Sequence, residues 1–254
     1  MEKYQVIPIN TGEFQAAEKS NFTYQVDAGV KIIAPLTAFL VKGKDKLVLV
    51  DTGGSDEEWA RKYHHPIKQS EDQKPLNALK KLGVRPEDID FVVDTHLHWD
   101  HCFNNALFTK AKIYVQQKEL EYAISPLPPH YVYYESYQIG MYPQWLKSME
   151  RMVAVEGDYN LLPGIDLIFL PGHTPGFQGV LVNTEAGKCM IAGDTLPQYE
   201  NWTGNPHASH LKRIVSGIHV NLFDYYRTMK RIEELSDYIL PGHDLKVFEK
   251  AVYP

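Results

Sequence analysis

Apolar residues in this chain come in short, dense runs broken by Gly, Pro, Asn and Asp. "YQVIPI" near the start, then "TAFLVK" and "KLVLVDTGG", read as β-strands. Only a Gly-Lys-Asp turn separates the last two, which predicts a hairpin. "PLNALKKLGV" carries Leu76, Leu79 and Leu82 at helical spacing between Pro75 and Gly83, the expected order of start and stop signals. "RPEDIDFVVDTH" is a turn feeding a buried strand. In the second half, "VAVEGDYNLLPGIDLIFLPGHTPG" predicts two strands around the turn "PGI", and "GVLVNTEAGKCMIAGD" a hairpin. "NLFDYYRTMKRIEEL" predicts an amphipathic helix with Leu222, Tyr226, Met229 and Ile232 on one face, and "DYILPGHD" a last strand. Hairpins mixed with helices favour an α+β sandwich of mixed sheets over a doubly wound parallel sheet. Without repeats or linker-like breaks, residues 1–254 are expected to form a single domain. The segment at about 124–148, within "AISPLPPHYVYYESYQIGMYPQWL", is rich in Pro and Tyr and weakly periodic, and reads as an inserted lid or wall.

The polar residues follow a second pattern: four strand-like segments each finish in a loop that holds His or Asp. The first delivers "DTHLHWDHCFNN", the others His173, Asp194 and His243. Ligands and catalytic groups gather on loops held at one edge of a rigid sheet. In an extended segment His96, His98 and Asp100 share a face, and His101 swings inward if the chain turns there. Imidazole and carboxylate suit zinc, and also iron, manganese or cobalt. Five histidines and two aspartates are too many for one tetrahedral ion and about right for two that share a bridging group. A lone loop histidine is more often a hydrogen-bonded loop residue than a ligand. Seven such groups at different strand ends are another matter, because buried carboxylates among imidazoles are costly unless a cation compensates them.

Composition narrows the classes. A hydrophobic content of 44% and a charged content of 23% over 254 residues are those of a soluble globular protein. A net charge of −6 lacks the basic footprint of a nucleic-acid binder. No apolar run approaches the roughly 20 residues that span a bilayer. The start shows no signal-peptide pattern, and Cys102 and Cys189 make no CxxC pair, so a cytoplasmic location is expected.

"THLHWDH", "LPGHTPG", "IAGD" and "LPGHD", preceded by "VDTG" at residues 50–53, resemble in order and spacing the motifs of the metallo-β-lactamase superfamily. The resemblance covers almost the whole chain. It implies a four-layer αββα sandwich with a binuclear metal site at one edge. Carried over, one metal takes His96, His98 and His173, the other Asp100, His101 and His243, and Asp194 bridges both. Asp51 would lie behind the ligands, orienting a histidine. Iron-binding oxidoreductase relatives carry glutamate where this chain has His98, which favours hydrolysis. The implied reaction is attack of a metal-bridging hydroxide on an ester-like carbonyl, with Asp100 holding the hydroxide in orientation. Zinc is the expected metal.

Within the superfamily the chain most resembles the N-acyl homoserine lactonases, through "HLHWDH", "EGDYNLLPGIDLIFLPGHTPGFQ" and "YENW". The implied substrate is a small lactone or ester. There are departures. Such lactonases carry a substrate-contacting tyrosine three residues after the bridging aspartate, where this chain has Pro197; Tyr199 is the nearest phenol and the candidate for that catalytic role. "CFNN" replaces an Ala-Gly-Gly-Asn type sequence and is expected to crowd the loop. Tyr131, Tyr133, Tyr134, Tyr137 and Trp145 either line an acyl pocket, or pack the lid and form a homodimer contact. His130, His207 and His210 are not expected to bind metal, His64, His65 and His219 have no motif around them, and Cys102 reads as a small buried residue. Alternatives are another carboxylic ester hydrolase or a glyoxalase-type thioesterase, the latter ranked lower because such proteins recognise glutathione with basic residues of a C-terminal extension and this chain stops soon after His243. Outside the enzymes, the alternative is an inactive metal-binding scaffold.

Overall fold

A computed structural model describes residues 2–207 and 211–254. β1 (Gln5–Glu18) and the short α1 (Lys19–Phe22) precede β2 (Lys31–Lys42) and β3 (Leu47–Val50), followed by α2 (Glu57–Tyr63), β4 (Ile67–Lys68) and α3 (Pro75–Lys81). Then come β5 (Phe91–Val93), α4 (Trp99–Cys102), β6 (Lys112–Gln116), α5 (Gln117–Ile124) and β7 (Met152–Val155). The second half holds β8 (Tyr159–Leu162), β9 (Ile165–Phe169), β10 (Gln178–Thr184), β11 (Gly187–Gly193), α6 (Tyr199–Thr203), α7 (Leu222–Leu235) and β12 (Tyr238–Pro241). The strands form a seven-stranded sheet in the order β4-β1-β2-β3-β5-β6-β7 and a five-stranded sheet in the order β12-β11-β10-β9-β8. Both are mixed: β2 pairs antiparallel with β3, while β3, β5, β6 and β7 run parallel, and β12 joins the second sheet parallel to β11.

The dense apolar runs follow from burial on both faces of these sheets. Side chains alternate along a strand, and here each alternate set has its own core. Phe39 and Val41 of β2 meet Val180 and Val182 of β10 between the sheets, together with Cys189 and Ile191 of β11. The opposite set of β2, Ala38 and Leu40, packs outward with Leu79 of α3, while Leu181, Met190 and Ala192 pack outward under Tyr225, Met229 and Ile232 of α7. The layers are therefore helix, sheet, sheet, helix, as expected.

Both predicted helices form, but the buried face of α3 is narrower than its periodicity implies and that of α7 is rotated. Leu79 is the buried leucine of α3, and Leu76 and Leu82 are more than a third exposed. In α7 the buried face is Tyr225, Thr228, Met229 and Ile232; Leu222 and Tyr226 face outward. Thr228 explains the rotation, since its hydroxyl donates to the Pro171 carbonyl at 2.7 Å and so belongs to the inner face despite its polarity. β1 extends well past "YQVIPI" to Glu18, with register shifts on either side of the Glu13–Phe14 pair.

Phe39 lies in the core between the sheets, whereas Phe223 on α7 is 80% exposed. Phe39→Ala is expected to lower unfolding free energy by about 3–5 kcal/mol and Phe223→Ala by no more than about 0.5 kcal/mol. Urea denaturation of both variants checks this; equal losses would contradict the layer assignment.

Candidate metal centre

The loops that follow β5, β9, β11 and β12 meet at one edge of the sandwich. They bring together all seven side chains singled out from the sequence. The ligand atoms of His96, His98 and His173 lie within 4.8 Å of one another, as do those of His96, His101 and Asp194, and those of Asp100, His101 and His243. The two carboxylate oxygens of Asp194 face different histidines. Oδ1 lies 3.2 Å from His101 Nε2 and 3.0 Å from His243 Nε2, while Oδ2 lies 3.5 Å from His173 Nε2. Asp100 Oδ2 closes the second group at 3.7 Å from His101 Nε2 and 3.8 Å from His243 Nε2.

Local folding explains these positions. His96 and His98 lie in the extended stretch after β5, and Asp100 and His101 in the single turn of α4, so the chain turns where His101 must swing inward. Hydrogen bonds behind the rings fix their orientation. His101 Nδ1 faces Asp51 Oδ2 at 2.8 Å, His173 Nδ1 the Ile218 carbonyl at 2.9 Å, and His243 Nδ1 the Pro35 carbonyl at 2.7 Å. Asp51 also accepts from the Thr95 backbone N–H and hydroxyl, at 2.7 and 2.8 Å. Such outer partners set which ring nitrogen is presented inward.

The donors fit a cation. His96 Nε2, His98 Nε2, His101 Nε2 and Asp194 Oδ1 are buried and make no aligned hydrogen bond among the described residues, a costly arrangement for polar atoms unless an ion engages them. Burial, reinforced by neighbouring imidazoles, pushes His96 and His98 well below the usual histidine range, leaving neutral rings with free lone pairs. Burial also opposes charge on His101 and His243, yet Asp194 and the other nearby carboxylates outweigh it and raise both. His243 and His101 in turn hold the Asp194 carboxyl well below its ordinary value against its own burial. The pull on a proton at these two rings is the pull the carboxylates would exert on a metal cation.

A further acid, with no motif around it, organises the site. Glu119, fully buried on α5, accepts from Leu97 N–H at 3.0 Å, Tyr134 Oη at 2.7 Å, Thr174 Oγ1 at 2.6 Å and Gly176 N–H at 3.2 Å. One carboxylate thus ties the His96–His98 stretch, the His173 loop and the Tyr-rich segment together. Burial raises its pKa and these donors oppose the rise. Gly176 is required beside it, because a Cβ there would lie 2.1 Å from Glu119 N. The one sequence sign is that Glu119 shares the buried face of α5 with Ala123, four residues on.

Tyr199 does not reach this centre. It packs against both large cores beside Tyr238 and Tyr253, and lines a different hollow with Trp202. Its backbone N–H is held by Asp244 at 2.9 Å. Burial and a hydrogen bond with Tyr253 raise its phenol. The capping turn of α6 directs the side chain down the sandwich, so its expected catalytic role is withdrawn. Nor does "CFNN" crowd the cleft: Asn104 stitches the carbonyls of Thr52, Gly53 and Gly54, and Asn105 bonds Thr52 and Asp94.

Of the aromatic segment, Tyr134 and Trp145 are buried, Tyr137 is exposed, and Tyr133 lines the cleft over the centre. That cleft, of about 210 Å³, has a mostly apolar wall from Phe14, Ala17, Phe22, Trp99 and Pro66. Burial, with the charge of Asp100 added, raises the Tyr133 phenol, so it stays a neutral donor. His65 also lines the cleft, whereas His64, His130, His207 and His219 join no ligand group among the described residues, and His210 lies outside them. Cys102 is buried, its thiol pushed well up by burial.

A family model described as the metallo-beta-lactamase superfamily matches residues 35–243, which include every donor of the centre. The chain belongs to that superfamily. Among curated relatives, an N-acyl homoserine lactonase of Bacillus cereus is 28% identical over 196 residues, 73% of each chain. The N-acyl homoserine lactonase AttM of Azorhizobium caulinodans is 27% identical over 183 residues, 68% of this chain and 65% of its own. In three dimensions the chain matches an N-acyl homoserine lactone hydrolase bearing N-hexanoyl-L-homoserine at its catalytic metal centre. The TM-score is 0.78 at 22% identity, covering 98% of this chain and 96% of that one. It also matches AidC, a dizinc quorum-quenching lactonase, with TM-score 0.72 at 17% identity over 96% and 89% of the two chains.

Asp51→Asn keeps the shape of the side chain but removes the charge behind His101. It is expected to weaken metal retention about 10- to 100-fold, read by chelator competition. Retention at the wild-type level would show that Asp51 does not support His101.

Proposed function

We propose that this protein is a dinuclear-metal hydrolase that opens lactone rings, with N-acyl homoserine lactones as the substrate class. The observation that carries the reading is Asp194, whose two oxygens face two separate sets of inward-pointing histidine nitrogens. His96, His98 and His173 would hold one ion and Asp100, His101 and His243 the other, with Asp194 between them. When bound, two divalent ions make a water acidic enough to attack near neutral pH and polarise an ester carbonyl. Zinc suits these donors, as do iron, manganese and cobalt.

The chain's own residues supply the rest. Asp100, partly exposed at the cleft floor, can orient the attacking water through its carboxylate. Phe14, Phe22 and Trp99 exclude bulk solvent and offer apolar surface to an acyl chain. The segment at 124–148 acts as the outer wall of this pocket through Tyr133. The curated relatives named as N-acyl homoserine lactonases support the choice of a lactone over a thioester. Both cysteines are free and buried, in keeping with a reducing cytoplasm, and no described helix is long and apolar enough to cross a membrane.

The purified protein is expected to carry two metal equivalents and to release acid from N-acyl homoserine lactones in a chelator-sensitive pH-indicator assay. His98→Ala and Asp194→Ala should each lose metal and turnover together while retaining wild-type circular dichroism. Full turnover in either variant would refute the centre. Two equivalents with ester or thioester hydrolysis but no lactone opening would refute the substrate alone.

A further inference from the structure

Residues 133–135 are pinned at three successive points. The Tyr133 carbonyl accepts from the Trp99 N–H at 2.9 Å. The Tyr134 hydroxyl donates to Glu119 at 2.7 Å. The buried Glu135 carboxylate accepts from Trp59 Nε1 at 2.6 Å and meets His64 Nε2 at 3.0 Å. Glu135 adopts a φ of +50° to make these contacts, a region that side-chain-bearing residues enter at a cost and that clusters at functional sites. His64 also stacks flat on Trp99, with ring centroids 4.1 Å apart and planes 5° from parallel. Trp99 lies between His98 and Asp100 in the chain, so the clasp joins the aromatic segment and the ligand-bearing turn into one unit.

What this clasp presents is a single phenol. Among the described residues lining the cleft, Tyr133 alone carries one. Its ring packs 5.2 Å from that of His98, and its hydroxyl makes no hydrogen bond within the described residues. Tyr134, next to it, is committed to Glu119, and Tyr199 lies in another hollow. Of the other long donors of the cleft wall, Lys31 is paired with Glu18 at 2.9 Å and Gln15 Nε2 donates to Glu13 at 3.5 Å. Two buried carboxylates, one of them on a residue of left-handed backbone, therefore fix the backbone around a donor that has no partner among the described residues.

We propose that Tyr133 is a catalytic residue, its Oη–H donating a hydrogen bond to the carbonyl oxygen of the bound ester. The proposal rests on the hydrolase reading above. As the water oxygen bonds to the carbonyl carbon, the carbonyl oxygen takes up negative charge, and a fixed donor there lowers the barrier. The ring C–O bond then breaks as the carbonyl re-forms. One water proton ends on the departing oxygen, giving the alcohol, and the other is released as the acid ionises. Tyr133 keeps its own proton throughout.

The test compares wild type, Tyr133→Phe and Tyr137→Phe, Tyr137 being 58% exposed. Readouts are metal content, melting temperature, kcat and KM for N-hexanoyl homoserine lactone and for p-nitrophenyl acetate, and calorimetric binding of ring-opened N-hexanoyl homoserine. Tyr133→Phe is expected to retain both metal equivalents and the melting temperature, and to lose about 10²-fold in kcat with KM within about threefold. It should also bind the ring-opened product about tenfold more weakly, the loss of one modest hydrogen bond. Tyr137→Phe should match wild type. Unchanged kcat and product affinity in Tyr133→Phe would overturn the proposal, as would a fall in kcat that only tracks lost metal. If wild type hydrolyses the aryl ester but not the lactone, the substrate assignment fails and the kcat ratio on the aryl ester decides the role of Tyr133. A metal-loaded wild type that hydrolyses neither overturns both readings.

Discussion

The structure is organised around the burial of the Asp194 carboxylate between two sets of imidazoles. A carboxylate removed from water is tolerated only when opposite charge or strong donors surround it. Here the surrounding groups are His101, His173 and His243 at 3.0–3.5 Å, and three of the inward-facing histidine nitrogens make no aligned hydrogen bond among the described residues. A set of side chains with this much unsatisfied polarity can be buried only on a scaffold whose own stability is secured elsewhere. The three-part apolar core, one cluster between the sheets and one outside each, supplies it.

That scaffold would still leave the loops free to relax, and two other acids prevent it. Asp51 holds His101 from behind and ties the turn after β3 to Thr95. Glu119 does the same across a longer distance, joining residues 97, 174 and 176 with the Tyr134 hydroxyl. Neither faces the cleft, so each orders the donors without adding charge where a substrate would lie. Backbone N–H groups and hydroxyls surround both acids, joined at Asp51 by the His101 ring. Hydrogen bonds thus carry the positioning.

Much of this was legible in the sequence, for a physical reason. Strands buried on both faces must be written as nearly unbroken apolar runs, and a donor set for two cations must be written as His and Asp at strand ends. The runs around Leu49, Val93, Leu167 and Ile191 and all seven of the clustered side chains were therefore visible. What escaped depends on packing geometry. Periodicity placed Leu222 and Tyr226 on the inner face of α7, because it cannot weigh the bond that takes Thr228 inward. Proximity in sequence nominated Tyr199, two residues past Pro197, but the turn into α6 sends it toward Tyr253. Glu119 carries no motif, since an acid that serves as a hub is defined by four donors distant along the chain.

The side chains of the centre and those of the cleft wall come from different parts of the chain. The donors come from loops after β5, β9, β11 and β12, whereas the cleft wall comes from the end of β1, the Phe22 turn, the loop after α2 and the segment around Tyr133. The two sets touch: the Phe14 and Phe22 rings of the wall pack 6.1 and 5.3 Å from the His243 ring, and the Tyr133 ring 5.2 Å from that of His98. The wall residue Tyr133 is also bonded through its carbonyl to Trp99, which is flanked by His98 and Asp100, so the aromatic segment is anchored on the turn that carries Asp100 and His101. A shift of that turn would be felt by both, and the stacked His64–Trp99 pair and the Glu135 clasp are what resist it.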